Sequence, residues 1–432
     1  MLANVSPMEL NDLINQLLAI PNDSTDLSRV KTYIEQLKLT PQYPIILVGG
    51  TNGKGSVCAY LSNILCRGGY NVGTFTSPHV IKYNERICIN NQPIDDATLT
   101  SVLQQIINLG NMQSSVGLSL FKAFTLAAHL IFIQKKIDIA IIEVGIGGLY
   151  DVTNLFTPTI SAVTNVAMDH CALLGTTIEE IALQKSGIFR SGKDAFYGSS
   201  HPPRNILNYA NQINCNLHLA GVDFGVNLHE LSFDIWAFNK HYYTIPYPAL
   251  RGNSQPHNAA LAVAILARLD PKFPLSLGTI KTGILTTSLI GRFQVMPGLP
   301  QVILDVAHNP HSVTHMLQNM LKLPFTTQTI AVFGIAQDKD VDQIIHLCQN
   351  RFAKWYIAKI NNDRGMESQD IAAILYKNNV AISDVICCTS IGNAYKEAYA
   401  YITNTDKNGK IICFGSFLVV EEIYQTIVNM GK

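Results

Sequence analysis

A glycine-rich loop is the clearest chemical signal in this 432-residue sequence. Residues 49–56 read GGTNGKGS and follow a short apolar run of the kind that forms a buried strand. Glycines let backbone N–H groups turn towards a phosphate, the start of a helix adds its positive end, and Lys54 adds a mobile charge. The pattern departs from the P-loop GxxxxGK[ST], because Val48 takes the place of the first glycine and Gly55 follows the lysine. The functional interpretation is a phosphate site, and the alternative is a strand-to-helix turn without a ligand.

Three potential metal ligands lie at or after the ends of short segments. Glu143 ends the apolar run 137–144, His170 lies a few residues after another strand-like run, and Ser77 ends the segment that begins at residue 71. In open α/β sheets, ligands bind outside the carboxyl ends of the strands, so these side chains are expected at one edge. A hydroxyl, a carboxylate and an imidazole suit a Mg²⁺ that keeps waters and bridges phosphates. His170 alone could instead be a hydrogen-bonded core or turn histidine.

Histidines are also grouped further along the chain. His308, His311 and His315 invite a zinc interpretation, since histidines four residues apart share a helix face. A third firm ligand is missing, which weakens that interpretation. Asn309 before Pro310 predicts a helix start, with the asparagine as N-cap and the proline at the first helical position.

Strand-like and helix-like segments alternate along the chain. Apolar runs predict strands at 44–48, 137–144, 159–166, 302–306, 329–333, 355–358 and 411–414, and apolar spacing predicts helices at 56–68, 121–134 and 177–188. This order predicts the α/β class, with an N-terminal, P-loop-type, mostly parallel sheet covered by helices on both faces and a smaller Rossmann-like C-terminal domain. The Gly/Pro-rich segment 289–300 predicts a boundary near residue 295, giving domains 1–295 and 296–432. Residues 195–248 are predicted to form an antiparallel insertion.

Composition narrows the functional class. The chain has 31 basic and 31 acidic residues and only 14% charged residues, which argues against nucleic-acid binding. The most apolar stretch, 126–142, is interrupted by polar residues, so no membrane span or export signal is predicted. Nine scattered cysteines without a CxxC pair predict reduced thiols and a cytoplasmic protein.

Many short segments, in chain order, resemble those of the folylpolyglutamate synthase/dihydrofolate synthase family of the Mur ligase superfamily. Besides the loop, they are 76–79 (TSPH), 84–87 (NERI), 143–148 (EVGIGG), 151–154 (DVTN), 169–170 (DH), 185–188 (KSGI), 291–293 (GRF), 305–310 (DVAHNP) and 338–340 (DKD). The resemblance covers nearly the whole chain. Departures from the family pattern include Lys122, where a glutamate is common, and Leu149-Tyr150 in place of Arg-Leu.

The resemblance implies roles for individual residues. It implies ATP contacts for Asn52, Gly53, Lys54, Gly55, Ser56, Asn258, Arg292 and Asp305. It implies pterin-substrate contacts for Thr25, Asp26, Leu27, Phe121, Lys122, Ala123, Phe124, Tyr150, Asp151 and Val152. It implies Ser77, Glu143 and His170 as magnesium ligands, and Lys54, Lys185 and His308 as catalytic residues. A lone helix lysine normally faces solvent, but the resemblance implies a carbamylated Lys185 that helps to hold a second Mg²⁺.

The activity implied by the resemblance is ATP-dependent ligation of L-glutamate to dihydropteroate, with extension of folates by further glutamates. The expected partners are these small molecules, with neither nucleic acid nor membrane, and the expected state is a monomer. One rival is a related ligase that acts on a cell-wall or other carboxylate. The other rival is a non-catalytic nucleotide-binding module, which would need neither Glu143 nor His170 nor Arg292.

Overall fold

The computed structural model describes residues 9–21, 27–112, 118–323 and 328–431. The chain divides into two compact units, which are Met1–Val166 with Leu174–Tyr247 and Pro256–Thr287, and Ala167–Leu173 with Pro248–Gln255 and Ser288–Lys432. In these described ranges, no helix combines the length and the apolar character that crossing a membrane requires.

The part of the chain before residue 288 alternates strands and helices. Its helices are α1 (Leu10–Leu18), α2 (Ser28–Gln36), α3 (Lys54–Arg67), α4 (Asp96–Met112), α5 (Leu120–Gln134), α6 (Cys171–Leu174), α7 (Ile178–Ser186), α8 (Arg204–Gln212), α9 (Gln255–Leu269) and α10 (Leu277–Thr286). Its strands are β1 (Ile45–Gly49), β2 (Val72–Phe75), β3 (Ile87–Ile89), β4 (Gln92–Pro93), β5 (Ile139–Glu143), β6 (Ile160–Val163), β7 (Asp194–Tyr197), β8 (Asn216–Leu219), β9 (Phe224–Leu228), β10 (Ser232–Ala237) and β11 (Lys240–Pro246). Short 3₁₀ helices cover Tyr83–Arg86 and Val152–Leu155.

The main sheet of the first unit has the order β4-β3-β2-β5-β1-β6-β7-β8 among the described strands. Pairing is parallel from β2 to β8, and only β3 and β4 run antiparallel. All five residues of β1 and of β5 are buried, as expected of central strands with helices on both faces. Val48 lies opposite Glu143 in the parallel register, so β1 and β5 end together. The glycine-rich loop therefore begins beside the end of β5, which carries the Glu143 carboxylate.

The prediction of an antiparallel insertion over residues 195–248 is wrong for its first part. Strands β7 and β8 extend the main sheet in parallel, with α8 between them. Only β9, β10 and β11 form a separate antiparallel sheet. The strands β7 and β8 are four residues each and carry polar residues such as Asp194 and Asn216, so they lack the apolar run that marks a central strand.

The second unit is built around its own sheet. Its described helices are α11 (Pro310–Met320), α12 (Val341–Leu347), α13 (Ser368–Lys377), α14 (Ile391–Thr405) and α15 (Phe417–Asn429). Its described strands are β12 (Gln294–Val295), β13 (Gln301–Leu304), β14 (Thr329–Phe333), β15 (Trp355–Ile357), β16 (Val385–Cys387) and β17 (Lys410–Phe414). The order is β12-β13-β17-β14-β15-β16, parallel except for β12. The α/β class and the two sheets with mostly parallel strands are confirmed.

Candidate active site

The glycine-rich loop joins β1 to α3 and has the backbone that a phosphate-binding turn requires. Gly50 (φ 134°) and Gly53 (φ 87°) lie in the positive-φ region, where a residue with a side chain would be strained. Gly53 is the N-cap of α3, and the helix begins at Lys54. The first N–H groups of this helix lack partners within the helix and are available to an anion.

Residues that follow β6 hold the loop in place. Asn165 accepts a hydrogen bond from the Asn52 N–H through Oδ1 (3.1 Å) and donates to the Asn52 carbonyl oxygen through Nδ2 (2.7 Å). Thr164 Oγ1 donates to the same oxygen (2.7 Å), and the Thr51 N–H donates to the Asn165 carbonyl oxygen (2.9 Å). These two residues are absent from the sequence-based assignments, because they carry out their role through backbone contacts that no local pattern reveals.

Two lysines meet at this loop. Lys54 Nζ donates to the carbonyl oxygens of Gly50 and Thr51, both at 3.3 Å. Lys185, on α7, reaches the Gly50 carbonyl oxygen with its Nζ at 3.1 Å and is only 4% exposed. The ordinary expectation for a lone helix lysine, a solvent-facing side chain, is therefore wrong here. The structure brings together two of the three residues that the resemblance makes catalytic.

Glu143 is the acidic group of this edge. It ends β5, is 4% exposed, and accepts the Ser77 backbone N–H through Oε2 at 3.2 Å. Burial raises the pKa of the Cys58 thiol on α3, the negative charge of Glu143 raises it further, and Lys54 opposes the shift. Glu143 and Lys54 therefore both act electrostatically on the first turns of α3.

The donor set of Ser77 and Glu143 fits magnesium better than zinc. Among the described residues, no group of three or more His, Cys, Asp or Glu side chains could hold a metal ion. Zinc needs such a protein cage, whereas Mg²⁺ is commonly held by one or two carboxylates together with waters and substrate phosphates. A buried carboxylate in contact with the Ser77 segment meets that requirement.

Asn258, on α9, lies directly against the glycine-rich loop. A Cβ atom added at Gly53 would come within 2.9 Å of the Asn258 Oδ1 atom. A larger residue at position 53 would thus collide with the amide that the resemblance assigns to the nucleotide. The loop residues Asn52, Gly53, Lys54, Gly55 and Ser56 and this asparagine form one neighbourhood.

The residues predicted to contact the pterin differ in exposure. Phe121 is half-buried and packs against Phe75, with 5.7 Å between ring centroids, while Lys122 is buried. Ala123 and Phe124 have no exposed surface. The start of α5 therefore offers Phe121 to a ligand, while the next three residues pack inside the unit.

A second group of predicted substrate residues, Tyr150 to Val152, forms a turn after β5. Tyr150 is 52% exposed and Val152 is buried. The Asp151 carboxylate accepts hydrogen bonds from the N–H groups of Gly145 (3.0 Å) and Ile146 (3.1 Å). It also accepts from the backbone N–H and the hydroxyl of Thr153. Burial raises the pKa of Asp151 despite these hydrogen bonds. Asp151 thus fixes the glycine-rich turn that follows Glu143.

Of the three substrate-binding residues predicted near the N-terminus, the structure describes one. Thr25 and Asp26 lie outside the described residues. Leu27 is half-buried, precedes α2 and packs against the core of the first unit.

In the second unit, His170 follows a carboxylate with many partners. Its φ is +53°, and its N–H donates to Asp169 Oδ1 at 2.9 Å. Asp169 Oδ1 also accepts from Lys339 Nζ (2.6 Å), and Oδ2 accepts from Asn309 Nδ2 (2.9 Å). Burial opposes ionisation of Asp169, but the hydrogen bond and charge of His308 and the charges of Lys339 and His170 hold its pKa well below the usual range. Asp169 thereby holds the unusual backbone of His170.

His308 is fixed by two contacts. Nδ1 lies 2.8 Å from the Val306 carbonyl oxygen, and because a carbonyl oxygen only accepts, Nδ1 carries the proton. Nε2 lies 3.5 Å from Asp169 Oδ2. Asn309 caps α11 and Pro310 is the first helical residue, so the helix start predicted there is confirmed.

Asp305 and Arg292 complete the predicted residues of the second unit. Asp305 accepts the N–H groups of Phe293 (3.0 Å) and Ala307 (2.8 Å), and burial raises its pKa to about 6. The Arg292 guanidinium lies 5.3 Å from the centroid of the Phe417 ring. His311 and His315 are adjacent on α11, with ring centroids 4.6 Å apart, and burial lowers the pKa of each.

Comparison with known proteins decides the family. Residues 48–266 match the Mur ligase middle domain, and residues 291–417 match the Mur ligase glutamate ligase domain. The chain belongs to the dihydrofolate synthase/folylpolyglutamate synthase family of Mur ligases. The dihydrofolate synthase/folylpolyglutamate synthase of Buchnera aphidicola subsp. Schizaphis graminum is 33% identical over 87% of this chain and 86% of its own. The Escherichia coli enzyme of the same name is 32% identical over 93% and 91%.

Solved structures of this family have the same fold. E. coli FolC in complex with DHPP and ADP matches with a TM-score of 0.89 and 28% identity, over 98% of this chain and 99% of that one. A bifunctional folylpolyglutamate synthase/dihydrofolate synthase with Mn, AMPPNP and L-glutamate bound matches with a TM-score of 0.87 and 31% identity, over 98% of both chains. Members of this family are ATP-dependent ligases.

Proposed function

We propose that this protein uses ATP to ligate L-glutamate to dihydropteroate, and that it also extends reduced folates with further glutamates. The names of the relatives support the substrates, and solved relatives hold ADP with DHPP, or AMPPNP with Mn and L-glutamate. The observation that carries the proposal is local to this chain. The glycine-rich loop begins where β1 ends, beside the end of β5 that carries Glu143. Lys54 and Lys185 both donate to the Gly50 carbonyl oxygen of this loop and give it positive charge.

The first step is activation of the substrate carboxylate. A carboxylate oxygen attacks the γ-phosphorus of ATP in line, the bond to the β,γ-bridging oxygen breaks, and an acyl phosphate and ADP result. The loop N–H groups and Lys54 hold the phosphates and spread the charge that develops on them. Glu143 and Ser77 are the residues of the first unit that would hold a divalent ion, which supplies charge neutralisation at the phosphates when bound.

The second step is amide formation. The amine of L-glutamate attacks the carbonyl carbon of the acyl phosphate, phosphate leaves with the electron pair of the C–O bond, and the amine loses a proton. No protein nucleophile is required, so the protein acts chiefly by positioning the reactants. Well-oriented groups can account for roughly 7–11 kcal/mol of barrier lowering.

Several finer assignments rest on the resemblance of their motifs and are part of the proposal. These are the nucleotide contacts of Asn258, Arg292 and Asp305, the catalytic role of His308, the metal role of His170 and the substrate contacts at 25–27, 121–124 and 150–152. A carbamylated Lys185, serving a second Mg²⁺, belongs to the same group. Support for it is that Lys185 is buried beside the loop carbonyl, where a carbamate would place oxygen ligands near the phosphates.

The proposal is tested by coupling ADP release to substrate addition. We expect ATP turnover that requires both dihydropteroate and L-glutamate, with dihydrofolate as product, and turnover with a reduced folate monoglutamate as well. Turnover with dihydropteroate but not with the reduced folate monoglutamate would restrict the protein to dihydrofolate synthase activity. ATP turnover with another carboxylate and none with either pteroyl compound would establish the rival ligase instead.

A further inference from the structure

A second cationic group lies in the first unit, outside the residues that the family resemblance assigns. Arg86 is the last residue of the 3₁₀ helix Tyr83–Arg86, directly before β3. Its guanidinium carbon lies 5.5 Å from the centroid of the Tyr83 ring and 5.7 Å from that of Phe124. Its Nε donates to His79 Nδ1 at 3.0 Å. The guanidinium is thus held by two aromatic rings and one hydrogen bond.

The charge of Arg86 has no counter-ion among the described residues. Within the described ranges, the guanidinium makes one hydrogen bond, to His79, and no carboxylate acts on it. Nearby carboxylates are engaged elsewhere, since Glu85 accepts three backbone N–H groups from residues 80–82 and Asp96 accepts from Asn84. Burial lowers the pKa of Arg86 to about 10, so the group stays charged at neutral pH. The side chain is half-buried, and its remaining N–H donors are accessible to a ligand that carries negative charge.

His79 adds a further donor to this group. Because Nδ1 accepts from Arg86, the proton of the neutral ring is on Nε2. The pair therefore offers only N–H donors, from Nη1 and Nη2 of Arg86 and Nε2 of His79. Such a set takes an anion, and the planar guanidinium suits a carboxylate with two oxygens.

The position of Arg86 identifies which anion. Its carbonyl oxygen accepts the Thr76 N–H at 2.9 Å, next to Ser77, whose own N–H donates to Glu143. Its ring neighbour Phe124 lies one helical turn after Phe121 on α5. Arg86 therefore lies beside both the metal-binding and the substrate-binding residues of the proposed ligase.

We propose that Arg86 binds a carboxylate of the pteroyl substrate through its Nη1 and Nη2 groups. The inference rests on the proposed function and deepens it by naming a substrate-binding residue. Two sources share this chemistry, which are the benzoate carboxylate of dihydropteroate and the α-carboxylate of a folate's terminal glutamate. Tyr83, Phe124 and His79 hold the guanidinium for this contact.

A thermodynamic cycle tests the contact. Binding of dihydropteroate and of its analogue lacking the carboxylate is measured by calorimetry, without ATP, for wild type and Arg86→Met. The methionine keeps an apolar stem between the rings and removes the donors. We expect Arg86→Met to weaken dihydropteroate binding by roughly 10- to 100-fold and to leave analogue binding unchanged. Arg67→Met, at an exposed position on α3, is the matched control and should change neither. Unchanged ADP binding shows that Arg86→Met is folded.

A second arm identifies the carboxylate. A reduced folate monoglutamate and its α-amide are compared in the same way. Loss confined to the folate and absent with dihydropteroate assigns Arg86 to the α-carboxylate, and loss with dihydropteroate assigns it to the benzoate group. If Arg86→Met weakens the binding of each ligand and of its analogue without the carboxylate equally, the inference is overturned and the proposed function still stands. Wild-type protein that binds no pteroyl compound would overturn the proposed function, and this inference with it.

Discussion

Lys54 and Lys185 donate to the same acceptor, the carbonyl oxygen of Gly50, at 3.3 and 3.1 Å. The two lysines are 131 positions apart in the sequence but are neighbours at the loop between β1 and α3. Two ammonium groups held at one oxygen repel each other, and an anion that reaches both relieves the repulsion. The arrangement is therefore poised for phosphates, or for a change of charge on one lysine.

The first prediction concerns Lys54→Ala. A cation at a helix N-terminus opposes the helix dipole, and the first turn of α3 has no acidic residue to offset it. We therefore expect the variant to melt at the same temperature as wild type or slightly above it. Loss of the phosphate-facing charge should lower turnover roughly 10²–10³-fold. Lys193→Ala, at an exposed position, is the control and should retain turnover. Near-normal turnover in Lys54→Ala would show that this loop is not the nucleotide site.

The second prediction concerns carbamylation of Lys185. Enzyme prepared without CO₂ should lose turnover and regain it on addition of bicarbonate. With ¹³C-bicarbonate, wild type and Lys193→Ala should show a carbamate carbonyl signal by NMR that Lys185→Arg lacks. Lys185→Arg keeps the positive charge but cannot carry the modification, so it should stay inactive with bicarbonate. Turnover that is insensitive to CO₂, without a carbamate signal, would contradict the prediction.

The third prediction concerns Glu143→Gln. The amide keeps an oxygen that can accept the Ser77 N–H but loses the negative charge that favours Mg²⁺. The Mg²⁺ concentration for half-maximal turnover should rise clearly, while the melting temperature without metal stays near that of wild type. Glu230→Gln, at an exposed position, should leave the titration unchanged. An identical Mg²⁺ titration for Glu143→Gln would assign this carboxylate a purely structural role.

The sequence predicts the central strands well because both of their faces are buried. β5 and β14 read IAIIE and TIAVF, which are continuous apolar runs, and each lies inside its predicted segment. The edge strands β7 and β8 read DAFY and NLHL, and such short mixed runs are equally typical of loops. β7 and β8 pair in parallel because α8 connects them, and the local residue pattern does not indicate this connection.

The candidate site likewise has parts that the sequence predicts and parts that it does not. The glycine-rich loop and the position of Glu143 at a strand end are local features, and the sequence locates both. The pairing of Asp169 with Lys339 spans 170 positions, and that of Arg86 with His79 joins two residues to which the sequence assigns no role. Such contacts follow from tertiary packing, so local patterns contain no signal for them beyond the family motifs in which these residues occur.

The fourth prediction compares two ion pairs within the second unit. Lys339 and Asp169 have side chains 10% and 7% exposed, whereas those of Lys377 and Asp342 are 71% and 53% exposed. Lys339→Met leaves a buried carboxylate without its ammonium partner and should destabilise by up to roughly 3–5 kcal/mol. Lys377→Met should change the free energy of unfolding very little, because solvent screens this exposed pair.

Urea unfolding of the two variants measures this difference. A second substitution, Asp169→Asn in the Lys339→Met background, removes the stranded charge and should restore part of the lost stability. Equal effects of Lys339→Met and Lys377→Met would show that the buried pair contributes no more than an exposed one.

The last prediction follows from Asp305, whose pKa burial raises to about 6. The folded protein therefore holds a proton on this carboxyl more tightly than the unfolded chain, where the pKa is about 3.9. The stability linked to Asp305 is fully present below about pH 4 and is lost as the pH rises through about 6. Relative to Asp305→Asn, which does not titrate, the free energy of unfolding of wild type should fall between pH 4 and 6 and level off above. Asp363→Asn, at an exposed position, should follow wild type across this range. A constant difference between wild type and Asp305→Asn from pH 4 to 8 would mean that the hydrogen bonds from the two backbone N–H groups offset the cost of burying the charge, so that the pKa is not raised.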